Sequence, residues 1–214
     1  MDLHALAENI WVADAPPVNV IGPLTLPART IVVRLRDGTL WIQPAEATAA
    51  EMDEVAELGA VAHLISPAKL HTWRLGAWRA HFPRAQCWAP PVIFSDEAPA
   101  AWAGEIDQAV FRGNVFAVET EFFHRASRTL VMNDFFQNYR PQPQRPFLDA
   151  LLALSGARGG GVPVDIQWTM LKKELARQSL RKLLSWDFEN LVVAHGDCVI
   201  GDAKPRLAAA FRFL

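Results

Sequence analysis

The residues best placed to do chemistry are a histidine and an aspartate, each delivered by a short apolar run. Leu191-Val-Val-Ala-His-Gly-Asp197 carries four apolar residues into His195, Gly196 and Asp197, and Arg128-Thr-Leu-Val-Met-Asn-Asp134 ends a similar run on Asp134. Apolar runs of this length read as buried strands, and open α/β sheets keep their sites at the C-terminal ends of strands. An imidazole and a carboxylate on two strand ends are the skeleton of a site. The plainer alternative is a hydrogen-bonded pair that holds two strands together.

Further residues offer other chemistries. Lys69 with Arg125, Arg128 and Arg140 would make an anion pocket, because guanidinium groups grip carboxylate or phosphate bidentately. Cys198 follows His195-Gly-Asp197 and would be an activated thiolate if it faced the histidine. Ser127 lacks the Gly-x-Ser-x-Gly elbow of a nucleophilic serine, and Gly159-Gly-Gly161 lacks a following Lys-Ser/Thr, so it reads as a flexible connector. His63 falls inside a strand pattern and reads as structural, while His4 and His81 read as surface residues.

The elements that must position these groups sit in a chain of 214 residues, 51% hydrophobic, long enough for one large core over 1–214. A formal charge of −2 gives no basic footprint for nucleic acid. No window approaches the ~18 apolar residues of a membrane span, and the first residues lack a signal-peptide pattern. Cys87 and Cys198 make no disulfide framework, so reduced thiols in a cytoplasmic protein are expected. A small, anionic molecule is the expected partner, with neither nucleic acid nor membrane.

Residues 9–14, 29–35 and 39–43 read as strands, with Asp37-Gly38 as a hairpin turn, and residues 15–27, with four prolines, as a loop. Thr48 and Glu51 have the spacing of a capping box for a helix over 48–58. Strand 61–65, helix 75–82 and strand 85–89 form a βαβ unit. Strands follow at 110–118 and 121–124, then helices at 147–154, 168–186 and 203–213. The helix at 168–186 carries Lys172, Lys173, Arg177 and Arg181 on a solvated face. Strands first and a helix-strand unit second, in both halves, suggest two sheets flanked by helices.

In the order of these features the chain resembles the metallo-β-lactamase fold superfamily, and within it a divergent group known as the DUF4336 family. The residues that carry the resemblance are Asn9-Ile-Trp-Val-Ala-Asp14, Thr30 to Ile42, His63-Leu-Ile-Ser-Pro-Ala-Lys-Leu-His71, Ser127 to Asp134 and Leu191 to Asp197. It implies an α/β (α+β) fold, a four-layer αββα sandwich, and metal-assisted hydrolysis of an ester, thioester or phosphoester. Active members carry His-x-His-x-Asp-His where this chain reads Ser66-Pro-Ala-Lys-Leu-His-Thr72, leaving only His71, with Lys69 where a cation would sit. A dinuclear centre is therefore not expected. Two histidines and a carboxylate, His71, Asp134 and His195, would still make a mononuclear site for zinc, iron or manganese, with Asp197 or His124 as a fourth ligand. Asp134 and His195 would be catalytic, and Lys69, His124, Arg128 and Asp197 would line the substrate. The alternatives are a non-catalytic protein that binds a small anion in the same cleft, and an interaction module using exposed tryptophans such as Trp73 and Trp102.

Overall fold

The computed structural model describes residues 2–21 and 24–214. They fall into two compact units, Met1–Glu105 and Ile106–Leu214. The first unit holds six strands in the sheet order β1 (Leu3–Ala7), β2 (Ile10–Ile21), β3 (Leu24–Arg34), β4 (Thr39–Gln43), β5 (Ala60–Ile65) and β6 (Gln86–Trp88). The first four pair antiparallel, and β4, β5 and β6 pair parallel. Crossover helices α1 (Ala49–Ala56) and α2 (Leu75–His81) permit that change of direction.

Local chemistry sets these boundaries. Asp37 Oδ1 accepts from the backbone N and the Oγ1 of Thr39 at 2.9 and 2.7 Å, closing the turn over Gly38. Thr48 and Glu51 form the reciprocal capping box, which satisfies two otherwise orphaned amides. Met52 and Val55 of α1 pack with Leu40, Ile42, Leu64 and Trp78, and the Trp78 indole donates to Ala45 O at 2.8 Å.

The proline-rich stretch departs from expectation. The residues expected as a loop over 15–27 are largely strand, apart from Gly22 and Pro23, which lie outside the described residues. The ladder skips Pro16 and Pro17 between the Ala15–Ala28 and Val18–Leu26 pairs, and it skips Pro27 on the facing strand. Prolines lack the donor a ladder needs, and an irregularity in register lets the chain place them where none is required.

The second unit has the sheet order β10-β9-β8-β7, from β7 (Ile106–Phe111), β8 (Glu119–His124), β9 (Thr129–Met132) and β10 (Asn190–Val193). Helices α3 (Pro146–Leu154), α4 (Val164–Thr169) and α5 (Lys173–Leu184) bridge β9 to β10, and α6 (Ala203–Ala210) follows. Phe111, Leu130, Met132, Leu191 and Val193 from the sheet bury with Ala176, Leu183, Leu207 and Phe211 from α5 and α6. The helix expected over 168–186 breaks, because Met170 is buried and Lys172 N turns to Gly113 O at 3.0 Å. The expected strand 110–118 starts earlier and stops at Phe111.

Candidate functional site

The parallel register of β9 with β10 places the pair that the apolar runs pointed to. Met132 faces Val193, so two residues further on Asp134 and His195 stand side by side beyond the strand ends. His195 Nε2 lies 3.0 Å from Asp134 Oδ1, with the imidazole buried and the carboxylate partly exposed. Gly196 makes the turn that follows. Its φ is +95° and a Cβ there would sit 2.1 Å from Asn138 O, so a side chain is excluded twice over. Asn138 N donates to His195 O at 3.1 Å and Asp197 N donates to Asn138 O at 2.7 Å, stitching the 138 segment to this turn. The Asp197 carboxylate pairs with Arg140.

Two carboxyls that sequence reasoning missed stand behind Asp134. Glu119 and Glu121 occupy β8, both fully buried, and Asp134 N donates to Glu119 at 3.2 and 3.3 Å. Burial holds the Glu119 carboxyl well above the usual range, and the charges of Asp134 and Glu121 add to the shift. Burial likewise pushes Glu121 up to about 8, while its contacts with Glu119 and Asn133 act the other way. The carboxyls of the two glutamates interact, which favours a proton on one of them. Tyr139 is buried with no partner for its hydroxyl among the described residues, and burial and then Asp134 raise its pKa. The available signal was Glu-Thr-Glu inside a strand. Period-2 alternation assigns such residues to a solvated face, whereas β8 is buried along its whole length.

The remaining expected residues come from other segments of the chain. His71 is buried in a 3-10 turn, Lys69–Arg74, of the first unit, and Lys69 in that turn is exposed with no ion pair among the described residues. His124 and Arg128 stand at the opposite end of the second sheet from Asp134, since His124 pairs with Thr129 at the start of β9. There His124 Nδ1 meets Ser127 Oγ at 2.7 Å, and burial lowers its pKa to about 4. Arg128 pairs with Asp187 and Glu189, and Arg125 with Asp107. Each arginine of the expected anion pocket, Arg140 included, thus has a carboxylate already. Trp102, expected as an exposed contact, is buried with its ring edge-on to Trp41 and Trp88, whereas Trp73 is exposed. Gly161 exchanges both backbone hydrogen bonds with Gln137 at 2.9 Å, so the triple glycine is a packed joint and not a flexible connector.

Comparison with solved structures decides the architecture. The DIM-1 metallo-β-lactamase exposed to ceftazidime matches at a TM-score of 0.65 and 16% identity, covering 97% of this chain and 93% of that one. An NDM/FIM-1-like metallo-β-lactamase from Erythrobacter litoralis, in its mono-zinc form, matches at 0.64 and 12% identity over 99% and 95%. One from Pontibacter korlensis matches at 0.62 and 14% over 97% and 95%. The fold is the metallo-β-lactamase fold. No protein-family model matches the sequence, and no curated protein is significantly similar to it. In metallo-β-lactamase terms, the strands that bear Asp134 and His195 belong to the second sheet of the αββα architecture.

Proposed function

We propose that the protein is a metal-dependent hydrolase of an ester, thioester or phosphoester, a divergent relative of the DUF4336 group acting as a single domain. His71, Asp134 and His195 would hold one divalent ion, zinc, iron or manganese. The observation that carries this reading is the 3.0 Å approach of His195 Nε2 to Asp134 Oδ1 at adjacent strand ends. Two donors each 2.0–2.2 Å from one tetrahedral ion lie roughly 3.4 Å apart, so the pair needs only a small adjustment to share an ion. When bound, the ion lowers the pKa of water and polarises a carbonyl or phosphoryl oxygen.

The chain's own residues prepare this chemistry. Glu119 fixes the backbone beneath Asp134, which sets the direction of its carboxylate. Gly196 lets Asn138 close on His195, which holds the strand end that carries the imidazole. Asp197, steered by Arg140, follows His195 by two residues and is the proposed substrate-side residue on the same turn.

The test is the metal content of protein purified without chelator, wild type beside His195→Ala. Near one equivalent of metal in the wild type, absent from the variant, is expected. No metal in either after incubation with excess zinc overturns the reading.

A further inference from the structure

Helix α3 presents the wrong face for an ordinary surface helix. Of Pro146-Phe-Leu-Asp-Ala-Leu-Leu-Ala-Leu154 only Leu152 is buried, while Phe147 is 78% and Leu154 80% exposed, and Leu151 lies between them on the same side. A second exposed apolar group follows at once. Trp168 at the end of α4 is 74% exposed, with Leu171 beyond it, and Val115 and Phe116 exposed beside them. The backbone joins these pieces. Val164 N donates to Ser155 O at 2.8 Å, tying α3 to α4, and Val115 N donates to Thr169 O at 3.1 Å. Exposed apolar side chains gathered in this way mark an interaction surface.

The charges around the surface favour one occupant. From Arg145 to Lys173 there are four Lys and Arg against two Asp and Glu, in a chain whose formal charge is −2. Arg145 stands immediately before α3, and Lys172 and Lys173 follow Leu171, all exposed. Leucine, phenylalanine and tryptophan flanked by cations are the composition of a surface that lies in a bilayer interface. No helix among the described residues is long and apolar enough to cross a membrane, so contact would be peripheral. A second copy docked about a two-fold axis would set these cations against themselves.

We propose that α3 and the α4–α5 junction form a docking surface for an anionic lipid bilayer, with Phe147, Leu151, Leu154, Trp168 and Leu171 entering the interface and Arg145, Lys172 and Lys173 meeting the headgroups. This contact is independent of any metal. The experiment is co-sedimentation of the full chain with vesicles of phosphatidylglycerol and phosphatidylcholine, and with phosphatidylcholine alone. Wild type is expected to sediment with the anionic vesicles and to be released by salt. Phe147→Asp/Leu154→Asp is expected to bind at least tenfold more weakly, and Lys172→Glu/Lys173→Glu likewise. The second variant stands alone if the first does not fold. No sedimentation with anionic vesicles, or equal binding by a folded variant, overturns the proposal. A dimer in analytical ultracentrifugation that Phe147→Asp/Leu154→Asp abolishes, without vesicle binding by wild type, also overturns it and assigns the surface to a second copy.

Discussion

The sheet of the second unit has a buried polar cluster at each end, and the two differ in how their atoms are satisfied. At the hairpin end His124 meets Ser127, Ser127 donates to Thr129 at 2.9 Å, and Asn190 donates to Ser127 O at 3.2 Å. Every one of these atoms has a neutral partner. At the other end the buried carboxyls of Glu119 and Glu121 stand behind Asp134, whose own carboxylate meets the His195 imidazole, and the Tyr139 hydroxyl has no partner among the described residues. The same strands therefore build a closed network at one end and an excess of acid at the other. The closed network holds a corner. An excess of buried acid must be met by protons or by a cation, which is why the second end is the candidate site.

The largest test of this contrast compares two backbone positions with positive φ, one at each end. Gly196→Ala adds a Cβ 2.1 Å from Asn138 O at φ +95°, and should cost about 3 kcal/mol or more and abolish metal uptake. Arg128 at the hairpin also has positive φ, 51°, and Arg128→Gly relieves that conformation while losing half-exposed ion pairs with Asp187 and Glu189 and a hydrogen bond from Nε to Asp187 O. Its effect should stay within about 1 kcal/mol. Chemical denaturation of both variants checks the pair, and comparable losses would erase the distinction between the ends.

Next in size is the pH dependence, where the two ends pull in opposite directions. His124 binds its proton at about 4 in the folded protein against an ordinary value of 6.5, so stability is full above 6.5 and lost as pH falls toward 4. Glu121 keeps its proton to about 8 against 4.5, so its contribution is full below 4.5 and lost as pH rises toward 8. Metal-free protein should therefore be most stable between these limits. Glu121→Gln should flatten the alkaline limb by on the order of a few kcal/mol, and His124→Gln the acid limb. Urea midpoints from pH 4 to 9 give the answer, and an unchanged alkaline limb in Glu121→Gln would show that the glutamates are not the excess acid.

The strand-end pair of the acid-rich end is legible in the sequence alone. The runs ending in Asp134 and His195 are apolar on both faces, so strand and strand end could be read directly, and parallel pairing then brought the two residues together. The capping box at Thr48 was equally local. Glu119 and Glu121 were hidden because alternation assigns charge to solvent, and only helices packed over the sheet reverse that assignment. The arms of β2 and β3 were hidden because prolines argue against strands until the register shows where they escape pairing. Gly161 was hidden for the same reason, since a close approach to Gln137 is a fact about partners distant in sequence.

The smallest test compares two hydroxyls. Ser127→Ala leaves the buried His124 Nδ1 without its partner and should cost about 1–3 kcal/mol. Tyr139→Phe deletes a buried hydroxyl that has no partner, and should be neutral or stabilising by up to about 1 kcal/mol. Zinc adds the discriminating step. If the hydroxyl faces only protein, zinc should raise the melting temperature of Tyr139→Phe as much as that of wild type. A smaller rise in the variant would mean that the orphaned hydroxyl supports the occupied site, and that the acid-rich end of the sheet is completed by what it binds.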